Sequence, residues 1–217
     1  MNIKTVLANK KNYGSTRSTS TIKYIVIHYT GNDGDTDENN GNYFKNNVVQ
    51  ASAHYFVDDD SITQSVPDNY VAWHCGAKTY KHKQCRNSNS IGIEICDDVK
   101  NGTIYPSAKT IANALELVAY LMNKYSIPKE NVIRHYDVTG KHCPAYWIDN
   151  NMWKSEFWNK IEVDKMVEVV NIIVNGKEIP VARILRNSRN YIRISDIAEV
   201  LNYNLSSKGS IPVLTKK

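Results

Sequence analysis

The sequence predicts an α/β protein with a small α+β module appended at its C-terminus. Three observations carry this. Short apolar runs rich in β-branched residues, Tyr24–Ile27 and Ile91–Ile95, are followed by a helical apolar period over 110–125. A charged, weakly patterned stretch at 162–168 then separates a tail with its own hairpin signal, Asn175-Gly176, between apolar runs. The length of 217 residues suits one full domain plus a small appendage. The expected organisation is therefore a main domain over 1–161, a linker over 162–168 and a module over 169–217.

Residues 1–20 lack periodicity and end in turn-forming Gly14 to Ser20, which reads as an extended arm. Tyr24-Ile25-Val26-Ile27-His28 reads as a strand buried on both faces, with His28 at its end. Tyr43, Phe44 and Val48 give 37–47 one apolar stripe, and hence a helix. His54–Val57, an acidic turn and Ile62–Val66 form a hairpin signature. Residues 67–90 have little periodicity and read as a long functional loop. Ile91 to Cys96 alternates strictly, isoleucines on one face and Gly92, Glu94 and Cys96 on the other. Ile111, Leu115, Val118, Leu121, Met122 and Tyr125 stand at helical spacing, with Pro128 as the stop. Asn131–Arg134 reads as a short strand delivering His135, and 148–161 as an aromatic-rich helix closing the domain. In the tail, strands flank Asn175-Gly176, another runs over 191–194, and a short helix covers 195–201.

Composition narrows the function. Hydrophobic residues make up 41% and charged residues 23%, ordinary for a globular protein, and no run of eighteen apolar residues exists to cross a bilayer. No stable membrane insertion is expected. The first ten residues hold only a three-residue apolar core, too short for a secretory signal, so the chain is expected to be made in the cytoplasm. A net charge of +5 favours an anionic partner, but the excess is spread rather than clustered. A nucleic-acid binder would need a basic cluster with stacking aromatics, and none is visible. The four cysteines, Cys75, Cys85, Cys96 and Cys143, are too few for a disulfide scaffold and form no Cys-x-x-Cys pair. Cys75 and Cys85 are equally compatible with a disulfide and with two thiols.

The chemistry-bearing stretch is Arg134 to Pro144, which holds His135, Lys141, His142 and Cys143. His135 and Cys143 with His28 offer two imidazoles and a thiolate, leaving a fourth tetrahedral position open, the composition of a catalytic zinc site. Such a metal activates water and polarises a carbonyl, which suits amide hydrolysis. Taken singly, each histidine reads more readily as an ordinary polar residue at a strand end; taken with the rest of the pattern, it reads as a ligand. A mid-strand Glu94 is either a general base or a structural glutamate paired with Arg134. Lys141, two residues before Cys143, either stabilises an oxyanion or is solvated. In the long loop, His74 beside Trp73 reads as a substrate contact, whereas His54 reads as a satisfied core histidine and His82 as solvated.

Five ordered motifs, Ile25-Val26-Ile27-His28, Ser52-Ala53-His54-Tyr55-Phe56-Val57, Trp73-His74-Cys75-Gly76, Ser90-Ile91-Gly92-Ile93-Glu94-Ile95 and His135 to Pro144, carry a resemblance. Over residues 5–161 the chain resembles the zinc-dependent N-acetylmuramoyl-L-alanine amidases. These are the type 2 amidases, related to peptidoglycan recognition proteins and common among endolysins of phages infecting Gram-positive bacteria. The resemblance implies a central mixed β-sheet flanked by helices, with zinc at one rim. It implies cleavage of the amide between N-acetylmuramic acid and the L-alanine of the stem peptide, so peptidoglycan is the expected partner. By motif, His28, His135 and Cys143 match the Zn2+ ligands, Glu94 the catalytic glutamate and Lys141 the transition-state residue. Some relatives carry a tyrosine where this chain has Ala53, which places the catalytic burden on Glu94. Recognition-only relatives have lost the cysteine ligand that this chain keeps, so an enzyme is expected before a non-catalytic wall-binding protein. The tail is similar to the copper amine oxidase N-terminal domain, which implies wall attachment or homodimer formation. An enzyme without a signal peptide, released to act on the wall, fits a phage or prophage endolysin.

Overall fold

The structure is a computed structural model that describes residues 2–32, 34–100, 103–162, 168–174, 176–186, 189–192, 194–208 and 211–217. The chain falls into two compact units, Met1–Val163 and Asp164–Lys217. The first runs β1 (Ile3–Thr5), β2 (Tyr13–Thr16), β3 (Tyr24–Tyr29), α1 (Asp37–Asn46), β4 (Tyr55–Val57), β5 (Ile62–Gln64), β6 (Tyr70–Ala72) and β7 (Ser90–Ile95). It continues through β8 (Asp98–Lys100), β9 (Thr103–Tyr105), α2 (Ala108–Tyr125), β10 (Val132–Arg134), α3 (His135–Thr139) and α4 (Asn150–Glu156).

Six strands form the central sheet in the order β1-β5-β4-β7-β3-β10. It is mixed, because β4 and β5 are antiparallel while the other neighbours are parallel. Alternation along each strand sorts the side chains to two faces. Ile25 and Ile27 of β3, Ile91, Ile93 and Ile95 of β7, and Tyr55 and Val57 of β4 pack with Leu117, Val118 and Leu121 of α2 and with Trp147, Trp153 and Phe157 in one core. The opposite face receives the intervening residues, including Val26, His28, Gly92, Glu94 and Phe56, and so carries the candidate site residues His28 and Glu94.

Local chemistry sets the helix boundaries. Thr36 caps α1 by accepting from the Asn39 amide, and Ser107 caps α2 by accepting from Thr110. Ser126, in the left-handed region at φ 52°, ends α2 two residues before Pro128. Asp149 accepts from the Asn151 and Met152 amides and starts α4.

Several elements differ from the sequence expectation. The N-terminal arm supplies edge strand β1, paired parallel to β5, and β2, paired to β6 from within the expected long loop. Residues 135–143 are not one loop: α3 occupies the first five and Gly140, at φ 84°, turns the chain back. The expected helix over 148–161 stops at Glu156, because Phe157 leaves helical geometry (φ −132°, ψ −65°) to bury its ring against Trp147 and Trp153. Hairpin β8–β9 was not expected.

In the second unit β11 (Glu168–Val174), β12 (Lys177–Arg186) and β13 (Arg189–Ile192) form an antiparallel sheet, followed by α5 (Ile194–Val200) and a hairpin of β14 (Tyr203–Lys208) and β15 (Ile211–Lys216). That last hairpin stands where the sequence reads only as a polar end. Val174 pairs with Lys177, and Gly176 has φ 78°; Asn175 of the hairpin signal lies outside the described residues. So do 163–167, most of the expected linker. Among the described residues no helix is long and apolar enough to cross a membrane.

Candidate functional site

Parallel pairing of β3 with β7 puts His28 directly opposite Glu94, both on the sheet face away from α2. Strand β10 lies on the other side of β3 and ends at Arg134, so His135, the first residue of α3, emerges beside His28 with ring centroids 4.6 Å apart. The turn after α3 returns the chain so that the Cys143 carbonyl accepts from the Tyr136 amide, which brings the thiol back to the same rim. Ligating atoms of His28, His135 and Cys143 lie within 4.8 Å of one another, and all three residues are buried.

The geometry fits a tetrahedral zinc ion. Zinc–nitrogen and zinc–sulfur distances of about 2.0 and 2.3 Å at a tetrahedral angle place N and S about 3.5 Å apart. His28 Nδ1 lies 3.7 Å from Cys143 Sγ. Nδ1 of His135 is buried without a hydrogen-bond partner, an orphan that a ligand at this rim would satisfy. Burial holds His28 neutral, well below the usual histidine range, and lowers His135 to about 4. Neutral imidazoles are what a metal requires. Burial pushes the Cys143 thiol up to about 12, while the Tyr29 amide and the Lys141 charge favour its thiolate. A bound divalent cation would ionise it.

Glu94 Oε1 lies 3.9 Å from His28 Nδ1, and Oε2 is buried with no hydrogen-bond partner. Burial pushes this carboxyl up to about 8; Lys141 opposes the rise, and Asp97 and Asp35 add to it. The pairing of Glu94 with Arg134 that the sequence left open does not form. Arg134 gives its guanidinium to Asp137, Asn150 and the Trp147 and Ile148 carbonyls. Lys141 is exposed and lines the groove over the site, whose central cavity of about 360 Å³ also touches Glu94, Tyr29, Trp73 and the three candidate ligands. Two further cavities also touch Lys141, one lined by Asn39, Tyr43 and Phe56 and the other by Trp73, Lys78 and Thr79.

Trp73 is 36% exposed on the groove wall. His74 lies deeper, and both its ring nitrogens are engaged: Nδ1 with His28 Nε2 and Nε2 with Ser90 Oγ, each at 3.0 Å. His54 is fully buried, accepts from the Gly92 amide at Nδ1 and faces Arg17 and the Tyr70 carbonyl at Nε2. His142 packs edge-on to Tyr136 at the groove's rim. Cys75 and Cys85 are buried free thiols packed with Tyr24, Val26 and Val138. Sequence reasoning missed Tyr29, Ser90 and Gly92. An isolated glycine in an isoleucine strand was the available signal, since it marks a close approach.

The N-acetylmuramoyl-L-alanine amidase family profile (Amidase_2) matches residues 18–146. The chain is 36% identical over 150 residues to the N-acetylmuramoyl-L-alanine amidase CwlL of Bacillus licheniformis, covering 65% of this chain and 41% of that protein. It is 35% identical to CwlA of Bacillus subtilis (strain 168), covering 68% of this chain and 52% of the other. It thus spans about half the length of these relatives or less. Among solved structures it is similar to the catalytic domain of XlyA, with a TM-score of 0.63, 33% identity and coverage of 75% of this chain and 100% of the other.

Proposed function

Given that the chain belongs to the N-acetylmuramoyl-L-alanine amidase family, we propose that it is a zinc-dependent peptidoglycan hydrolase that cuts the amide between N-acetylmuramic acid and the stem peptide's L-alanine. The observation that carries this reading is the convergence of His28, His135 and Cys143 within 4.8 Å, with Glu94 Oε1 3.9 Å from a ligand nitrogen. Zinc held by these three residues supplies Lewis-acid activation of water and polarisation of the scissile carbonyl.

The protein's own groups move the proton and stabilise charge. Glu94 takes a proton from the water that attacks the lactyl carbonyl carbon. Lys141 stabilises the resulting oxyanion. As the C–N bond breaks, Glu94 passes that proton to the departing L-alanine nitrogen, leaving a lactyl carboxylate and a free amine. Trp73, exposed on the wall of the cavity that holds the three ligands and Glu94, contacts substrate. His74, named with it from the sequence, has no ring nitrogen left for substrate.

The second unit we assign to wall attachment or to pairing with a second copy, and the physiological role to phage or prophage lysis of Gram-positive cells. The test is turbidity loss of purified Gram-positive walls. The parent clears them, a chelator stops clearing and zinc restores it, while Glu94→Ala and Cys143→Ala fail to clear. Clearing by either variant at the parental rate would sink the proposal. A non-catalytic wall-binding protein would sediment with the walls without clearing them.

A further inference from the structure

We infer that His74 is a positioning residue that fixes the ring tautomer of His28, through a hydrogen-bond chain anchored on the Arg86 carbonyl. This rests on the zinc-site reading above.

The polarity of the chain follows from counting protons. Ser90 Oγ lies 2.7 Å from the Arg86 carbonyl, which only accepts, so the single hydroxyl hydrogen points there. Ser90 Oγ therefore accepts from His74 across their 3.0 Å contact, and the His74 proton sits on Nε2. With that one proton on Nε2, the His74 ring offers a lone pair at Nδ1, 3.0 Å from His28 Nε2, which donates to it. With its proton on Nε2, His28 turns an unprotonated Nδ1 toward Cys143 Sγ and Glu94 Oε1. One backbone carbonyl thus dictates which nitrogen of His28 is free for a metal. Partners of this kind behind a ligating histidine typically change metal affinity 10–100-fold.

The surroundings hold His74 in this role. Asn87 Oδ1 accepts from the His74 and Cys75 amides, fixing the backbone from which the ring projects. Arg86 opens a turn in which its carbonyl also accepts from the Asn89 amide. Under the ring, β7 carries Gly92, where an added Cβ would lie 2.5 Å from His74 Cγ. Gly92 therefore provides the space in which the ring lies.

Two measurements on the full chain test this, with folding checked by circular dichroism. The first is nitrogen-15 NMR of the zinc-free protein, which reads imidazole tautomers directly. His28 is expected as the Nε2–H form in the parent and as a mixture in His74→Ala. The second is zinc affinity by competition with a chromophoric chelator. His74→Ala, Ser90→Ala and Gly92→Ala are each expected to weaken binding 10–100-fold, and His74→Asn, which keeps an acceptor near Nδ1, to recover part of the loss. An Nδ1–H His28 in the parent, or zinc binding by His74→Ala within twofold of the parent, overturns the inference. If the parent takes up no zinc, the metal reading falls, and the tautomer spectrum still decides the role of His74.

Discussion

Arg134→Met should lower stability sharply although it touches no reacting group. Arg134 is 3% exposed and its guanidinium makes five hydrogen bonds of 2.7–3.0 Å, two to Asp137, one to Asn150 and two to the carbonyls of Trp147 and Ile148. Methionine fills much of the same channel, so the loss is polar rather than a cavity. The Trp147 carbonyl, whose bond is buried, is left unsatisfied at about 1–3 kcal/mol. Asp137, 26% exposed, can turn to water and recover part of its loss. Breaking a buried ion pair costs about 3–5 kcal/mol, and we take that range for the whole substitution. For the unit Met1–Val163 this corresponds to roughly 6–20 °C in Tm. Arg134→Lys should recover little, since a point charge cannot reach acceptors arranged for a planar fork. The assay is thermal unfolding of the zinc-free protein by circular dichroism. A Tm within about 2 °C of the parent for either variant would refute the view that this residue braces the chain between His135 and α4.

Two further outcomes are expected. Burial raises the Asp97 carboxyl to about 7, and Oδ1 has no hydrogen-bond partner, so ionisation of Asp97 opposes folding. The folded pKa lies above the unfolded one, so stability is fullest below about 4 and declines as pH rises through 7. Asp97→Asn should therefore gain on the parent in urea unfolding between pH 4 and 7, by at most about 4 kcal/mol, and level off above; a gain independent of pH would contradict this. Zinc at 100 times its Kd should stabilise the parent by about 2.7 kcal/mol, and Cys143→Ala by much less; equal Tm shifts in both proteins would exclude Cys143 as a ligand.

Legibility in the sequence followed how local each signal is. The alternation of Ile91, Ile93 and Ile95 against Gly92 and Glu94 is a property of one strand, and it appears as such in β7. That Glu94 stands opposite His28 depends on parallel pairing of strands more than sixty residues apart, which no short pattern encodes. Edge strand β1 was illegible because Ile3–Thr5 is exposed throughout and carries no burial alternation. Hairpin β8–β9 did have a signal, Asn101-Gly102 between its strands, of the same type that marked the tail. His74 read as a groove residue from its loop and aromatic neighbour. Its engagement by His28 and Ser90 depends on space above Gly92, which only the packed structure displays.

The most direct test is chemical identification of the bond cut. Purified walls digested with the parent protein should yield new L-alanine amino ends and muramic acid residues carrying free lactyl carboxylates, both absent with Glu94→Ala. New reducing sugar ends, or amino ends from any residue other than the stem's first L-alanine, would contradict the account.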